Sequence, residues 1–372
     1  MPKFDCLAST EIQRSARVLQ LEGLFELPAT KRSELRWSGE LPLEEKDWQI
    51  GMIVGPSGCG KSTIARELFN AELISGYEWD HKKSIVDGFP KKLGIKDVTS
   101  LLSQVGFSSP PSWLRPFQCL SNGEQFRVTL ARAMAESSGL FVMDEFTSVV
   151  DRTVAQIGSA ALAKSIRRGA GKMIAVGVHY DVIDWLQPDW VYEPHLNRFQ
   201  WRLLQRRPDI QLQIVLCDKE AWSMFKHHHY LDTALSKSAK CFCALYNDKP
   251  VAFTAVLYWP HHTASRWREH RTVCLPDFQG VGIGNALSDF VASLYQATRK
   301  PYTSVTSNPA MIQHRARSKN WNMRRKLSRS RFAGQSSSVG LEKTLSANRL
   351  TASFDYTGVA RVKEARDFGV IR

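Results

Sequence analysis

The chain has 372 residues, of which 43% are hydrophobic, enough to bury two or three ordinary cores. No run approaches the roughly 18–20 apolar residues needed to cross a bilayer, and the first thirty carry acids without an apolar leader segment. Seven cysteines without CxxC spacing are expected to be reduced thiols, so the reading is a cytoplasmic protein with no membrane partner. The net charge of +14 is unevenly placed. Residues 1–200 hold 23 Lys+Arg against 24 Asp+Glu, and residues 201–372 hold 27 against 12, so the rear alone is +15.

In chain order, residues 1–45 include "ARVLQLEGLFELP", read as strands after a short irregular arm. Then "WQIGMIVGPSGCGKSTIARELF" (48–69) gives an apolar run, a glycine turn and a helical pattern. Its centre fits GxxxxGK[ST] at Gly55, Gly60, Lys61 and Ser62, with Ser57, Gly58 and Thr63 in the same loop. Such a loop curls backbone N–H groups round a phosphate at a helix N-terminus. Lys61 is expected to reach the β- and γ-phosphates of ATP, and Ser62 to ligate Mg2+. Phe25, ahead of the loop, is a candidate for stacking on the adenine or for core packing.

"LSNGEQFRVTLARAMA" (120–135) reads as a loop opening a helix, and "GLFVMDEF" (139–146) as a buried strand ending in two carboxylates. Asp144 is placed to hold Mg2+ and Glu145 to polarise the attacking water. "TSVVD" (147–151) and "VGVHYD" (176–181) follow. This order resembles the ATP-binding cassette (ABC) family. The resemblance implies an α/β P-loop NTPase fold, a signature serine and glycine at Ser121 and Gly123, a D-loop aspartate at Asp151, and a γ-phosphate sensor at His179. Because signatures of that family serve a partner's nucleotide, it also implies a homodimer through the ATPase domains. Asn122 and Glu124 depart from the usual signature. The interval from Lys61 to Ser121 is short, and the coupling-loop glutamine has no clear counterpart in Gln104 or Asp87.

"QRRPD" (205–209) reads as a linker. Beyond it, "QIVLCDKEAWSMFKHHHYL" (213–231) reads as strand then helix, and "AKCFCALYNDKPVAFTAVLYW" (239–259) as two strands round a turn at Asn247-Asp248. "HRTVCLPDFQGVGIGNALSDFVASLYQ" (270–296) is a strand, a glycine loop and a helix. A dinucleotide GxGxxG fails there on spacing, since its third glycine would fall on Asn285 or Leu287.

Gln279, Gly280, Gly282 and Gly284 resemble the Q/R-x-x-G-x-G/A loop of the GNAT family of N-acetyltransferases. The resemblance implies an α+β acyltransferase domain, amides that cradle the pyrophosphate of acetyl-CoA or another acyl-CoA, and direct attack by an acceptor amine. "PYTSVTS" (301–307) and "RLTASFDYTG" (349–358) supply its later strands. The acid tyrosine common in that family has no counterpart in "IQHRARSKNWNM". Glu269 is a candidate base, or a solvated strand-end carboxylate. His228, His229 and Tyr230 are candidates for acceptor binding or proton transfer, and three adjacent histidines cannot ligate one metal from a single helix face.

The expected organisation is an ATPase domain at 1–204, a linker at 205–209, an acyltransferase domain at 210–360 and a tail at 361–372. Within it, 299–331 is basic. No acid lies between Asp289 and Glu342, where ten basic residues do. A one-signed patch of this kind is the usual footprint of nucleic-acid binding, the alternative being a solvated or disordered basic loop, as "SRSRFAGQSSSVG" (328–340) reads; Trp321 could stack on a base or sit in the core. The Ser-rich 328–338 reads as low complexity.

Overall fold

The computed structural model describes residues 2–29, 31–70, 72–229, 234–260, 264–329 and 350–372. Tyr230, Arg331 and most of the Ser-rich stretch lie outside the described residues. The elements run β1 (Lys3–Glu11), α1 (Ala16–Phe25), β2 (Arg32–Glu40), β3 (Ile50–Val54), α2 (Lys61–Phe69), β4 (Leu73–Ile74), α3 (Ile95–Gln104), α4 (Pro110–Trp113) and α5 (Asn122–Glu136). There follow β5 (Leu140–Met143), α6 (Arg152–Ile166), β6 (Lys172–Gly177), α7 (Val182–Leu186), β7 (Trp190–Glu193) and β8 (Arg198–Trp201). The rear holds β9 (Gln213–Cys217), α8 (Trp222–Phe225), β10 (Lys240–Tyr246), β11 (Lys249–Trp259), β12 (Arg266–Cys274) and α9 (Ile283–Gln296). It ends with β13 (Tyr302–Thr306), α10 (Pro309–Arg317), β14 (Trp321–Arg329), β15 (Leu350–Tyr356) and α11 (Val362–Asp367).

The chain divides into two compact units that cut across the sequence: residues 1–77, 137–149 and 166–206 form one, and residues 78–136, 150–165 and 207–372 the other. The helical segment between the P-loop and the DE strand therefore groups with the rear of the chain. That division in space differs from the division in sequence expected at 204–210.

The first unit is built on a sheet of order β4-β5-β6-β3-β7-β8. Parallel central strands are covered on both faces, which is why "IGMIV" is buried at every position. A second, two-stranded sheet pairs β1 with β2 from Lys3↔Glu40 to Glu11↔Arg32. Its base enters the core through Phe4 and Cys6, beside Ile64 and Phe69 of α2. "ARVLQLEGLF" was expected to be strand, but Ser15 caps it as helix by accepting from the Val18 N–H at 3.4 Å. No residue of that helix is buried.

The second unit carries a sheet of order β14-β15-β13-β12-β11-β10-β9. The β10–β11 turn forms where expected, with Asn247 and Asp248 at φ 48° and 60°. Helix α9 buries Ile283, Leu287, Val291, Leu294 and Tyr295 on the sheet, alongside Phe242, Val256 and Tyr302. Strand β14 has no counterpart in the sequence reading, because its arginines and lysines hide the period-2 pattern. Strands β12 and β13 pair in parallel only at Trp267↔Tyr302 and Arg268↔Thr303, and no further pairing joins them toward the glycine loop.

Candidate functional sites in the two units

In the first unit a cavity of about 400 Å³ opens over the P-loop, lined by Ser57, Gly58, Gly60, Lys61, Ser62 and Thr63 from below. Asp144, Glu145, Ser148, Gly177 and Trp37 complete the wall. Gly60 adopts φ 87°, and a Cβ there would lie 2.5 Å from the Trp37 indole, so both backbone and space demand glycine. Lys61 is 9% exposed, and its ammonium turns back onto the Pro56 carbonyl oxygen at 2.8 Å. The Ser62 hydroxyl donates to Asp144 Oδ1 at 3.0 Å. The two oxygens offer hard donors of the kind Mg2+ takes.

Glu145 is exposed with φ 50°, a positive value that turns its carboxylate off the strand end. His179 is half-buried just past β6, next to the lining residue Val178. The expected P-loop and DE residues are thus brought together. Phe25 is not among them: it is 68% exposed on α1. The aromatic at the cavity is Trp37, which the sequence reading missed because only the pairing of β1 with β2 brings it to Gly60.

Ser121, Gly123 and Asp151 belong to the second unit. Glu124 takes part in a capping box: the Ser121 N–H donates to Glu124 Oε2 at 3.0 Å, and the Glu124 N–H donates to Ser121 Oγ at 3.3 Å. The glutamate thereby has a local reason to stand where glutamine was expected. Asp151 caps α6 in the same way, accepting from the N–H groups of Thr153 and Val154.

At the glycine loop, Gly282 is the N-cap of α9 at φ 103°, with no side chain closing the helix start. N–H groups of a first helical turn suit an anion, although that of Gly284 is directed at the buried Cys274 thiol. Gln279, however, is engaged inside the protein. Its Oε1 accepts from the Ser108 N–H at 2.6 Å, and its Nε2 donates to the Cys274 carbonyl at 2.7 Å. A Cβ on Gly280 would lie 2.6 Å from Gly106 Cα and 2.7 Å from Ala161 Cβ. Arg127 of α5, wholly buried, donates to the Pro276 carbonyl and, at 2.7 Å, to that of Asp277. One side of the loop is therefore lodged against the helices of residues 78–165, and Gln279 and Gly280 are packing positions here.

A family model described as Acetyltransferase (GNAT) family matches residues 180–312. The front of the chain is 31% identical over 167 residues to a zinc import ATP-binding protein of Ruegeria sp. (strain TM1040), covering 38% of this chain and 65% of that one. It is 30% identical over 180 residues to an Fe(3+) ions import ATP-binding protein of Rhizobium meliloti (strain 1021), covering 39% and 42%. The chain joins an ABC ATPase domain to a GNAT domain. It spans less than two thirds of the length of these relatives. A solved bacterial ABC transporter cassette, described as dimeric, aligns at TM-score 0.34 with 14% identity, over 43% of this chain and 87% of that one. The GNAT match begins at residue 180, whereas the first strand of the GNAT sheet is β9 at Gln213, so its leading part overlies β7 and β8 of the cassette sheet.

Inside the GNAT domain Glu269, expected to be a base or a solvated strand-end carboxylate, lies within β12 and away from solvent. It is 8% exposed, and Arg315 Nη2 approaches its Oε2 at 2.9 Å. Ser288 and Thr272 donate to its Oε1 at 2.6 and 2.8 Å, and Ser304 donates to Oε2. Burial opposes ionisation, but Arg315 and the hydroxyl donors outweigh it and hold the carboxyl below its ordinary value. Both of its oxygens thus accept hydrogen bonds from within the protein. Arg315 is likewise removed from the basic face; it was counted there because sequence alone does not reveal that α10 points it inward between α9 and β13.

Trp321 is 5% exposed, covered by the Arg315 guanidinium at 4.3 Å from its ring, and donates to Asp289 at 2.7 Å. It is a core residue, not a stacking platform. His228 and His229 are half-buried, with the His229 ring edge-on to Trp222 at 5.6 Å. Burial lowers the His228 pKa, with Glu124 acting against it. Among the described residues no group of His, Cys, Asp and Glu has the geometry of a metal site, and no helix is long and apolar enough to cross a membrane.

Proposed function

We propose that the cassette hydrolyses Mg2+–ATP and that the GNAT domain transfers an acyl group from acyl-CoA, as acetyl-CoA or a relative, to an amine of a nucleic acid. The observation carrying the first half is the Ser62–Asp144 pair, 3.0 Å apart at the wall of the P-loop cavity. There Lys61 would leave Pro56 for the β- and γ-phosphates, Ser62 and Asp144 would hold Mg2+, and Trp37 offers its ring to the adenine. Glu145 would take a proton from the attacking water, with His179 beside the γ-phosphate. Bound Mg2+ supplies charge neutralisation on the transferring phosphoryl group. Ser121, Gly123 and Asp151 are assigned to a second copy's nucleotide, which makes the working form a homodimer.

For the second half, support comes from the GNAT match, the diverging β12 and β13, and the uncapped α9 start at Gly282. Gly282 and Gly284 would hold the pyrophosphate; His229 or Tyr230 would take the proton of the acceptor amine. The nucleic-acid acceptor rests on the +15 balance of the rear. Incubation with ATP and labelled acetyl-CoA against tRNA, DNA and bulk protein tests it, and label on protein alone overturns the acceptor assignment.

The ties on Gln279 and the Glu269–Arg315 pair favour a second reading, in which the GNAT domain binds nucleic acid without acyl transfer. Calorimetric titration with acetyl-CoA separates the two: heat of binding supports the transferase, and its absence supports the binding module.

A further inference from the structure

With Trp321 buried, the stacking surface expected for a nucleic-acid face has to be sought elsewhere, and the described residues offer one at the far end of β11. Tyr258 and Trp259 are 42% and 45% exposed, unusual for adjacent large aromatics in a strand. Each is backed by a cation. The Arg268 guanidinium sits 4.8 Å from the centre of the Trp259 ring, and Lys300 Nζ sits 4.6 Å from that of Tyr258, 3.1 Å from its hydroxyl.

The pairing of β11 with β12 sets this up. Trp259 lies opposite Arg266, and Leu257 opposite Arg268, so both arginines share the face of Trp259. Tyr258 lies opposite Trp267 on the other face. Arg299 and Lys300 are exposed in the turn that leads to β13, the strand beside β12. The Arg268 Nε atom is buried with no hydrogen-bond partner. A positive field reaches inward: His270 is pushed down to about 4, first by burial and then by Arg271 and Arg268.

We infer that the end of β11 is a binding edge for single-stranded nucleic acid, which would wrap it from Trp259, Arg266 and Arg268 on one face to Tyr258 and Lys300 on the other, with Arg299 beside Lys300 in the turn. Unpaired bases stack on the open ring faces while the cations meet the phosphates. An arginine behind an aromatic fixes the ring and leaves its other side for a base. A duplex has no free base face to offer. An acidic protein would satisfy the cations but leave both rings unused. The inference rests on the nucleic-acid part of the proposed function and needs neither acyl transfer nor ATP.

Fluorescence anisotropy of a labelled single-stranded oligonucleotide, in DNA and RNA versions, tests it on the full chain. Trp259→Ala should weaken binding about tenfold, in line with about 1–3 kcal/mol per stacked base, while Trp259→Phe keeps most of the affinity. Lys300→Ala should lower the salt dependence by about one counterion. Both positions are exposed, and circular dichroism confirms the fold. If the wild type binds single strands and Trp259→Ala binds as well, the surface is misassigned while the nucleic-acid reading survives. If the wild type binds no oligonucleotide at low salt, both fail. Tighter binding of duplex, or binding of anionic lipid vesicles in place of oligonucleotide, also overturns the inference.

Discussion

Arg127 of α5 and Asp277 of the glycine loop are joined by a guanidinium-to-carbonyl hydrogen bond of 2.7 Å, although 150 residues separate them. The guanidinium is wholly buried and also serves the Pro276 carbonyl. Hydrogen bonds from a charged donor contribute about 1.5–3 kcal/mol each, and removing a buried partner leaves the carbonyls unsatisfied. Arg127→Met should therefore lower stability by about 2–4 kcal/mol, read as a shift of the urea midpoint. A change under about 1 kcal/mol would show the contact to be incidental.

The P-loop cavity makes a sharper demand. Glu145→Gln should slow phosphate release about 100-fold or more, the range for loss of a general base, with ATP affinity intact. Lys61→Ala should lose nucleotide binding itself, because it removes the cation nearest the β- and γ-phosphates. Equilibrium binding of a fluorescent ATP analogue separates the two effects. Unchanged turnover in Glu145→Gln would put the base elsewhere.

Gln279 distinguishes a ligand contact from an internal tie. Held by Ser108 and Cys274, it should matter more for folding than for acyl-CoA. Gln279→Ala is expected to cost about 1–2 kcal/mol of stability and to leave acetyl-CoA affinity within about twofold of wild type. A large loss of affinity at unchanged stability would restore the side chain to the pyrophosphate.

Acid should unfold the GNAT domain in two steps. His270 is held down to about 4 from 6.5, so the unfolded chain binds its proton first. The stability linked to it is complete above pH 6.5 and drains as pH falls toward 4. Glu269, held below its ordinary 4.5 once Arg315 and the hydroxyls outweigh burial, adds a second loss that begins only below about pH 4.5. His270→Gln should flatten the upper slope and leave the lower one. Denaturant midpoints across this range check it, and a flat wild-type profile from pH 7 to 5 would contradict the His270 contribution.

Much of this was legible in the residues, for local reasons. The P-loop and DE strand are contiguous motifs whose chemistry needs no distant partner, and Asn247-Asp248 announces its turn through the positive φ those residues tolerate. What stayed hidden depended on pairing between remote segments. Trp37 reaches Gly60 only through the β1–β2 ladder, and "ARVLQLEGLF" spaces its apolar residues too ambiguously to separate helix from strand. Arg315 and Trp321 read as a basic, stacking surface because sequence reports charge and ring but not that α10 and β14 turn both inward. Gln279 fitted a motif by spacing; its commitment to Ser108 comes from a segment 171 residues earlier.

The grouping of residues 78–136 and 150–165 with the rear has a practical bearing on expression. A fragment ending at the apparent linker would keep every ATPase motif yet strip the cover from Arg127, Gly106 and Ala161. Such a half-protein would present a raw charged and apolar scar and tend to clump. Useful pieces of this molecule must be cut by contact, not by reading order.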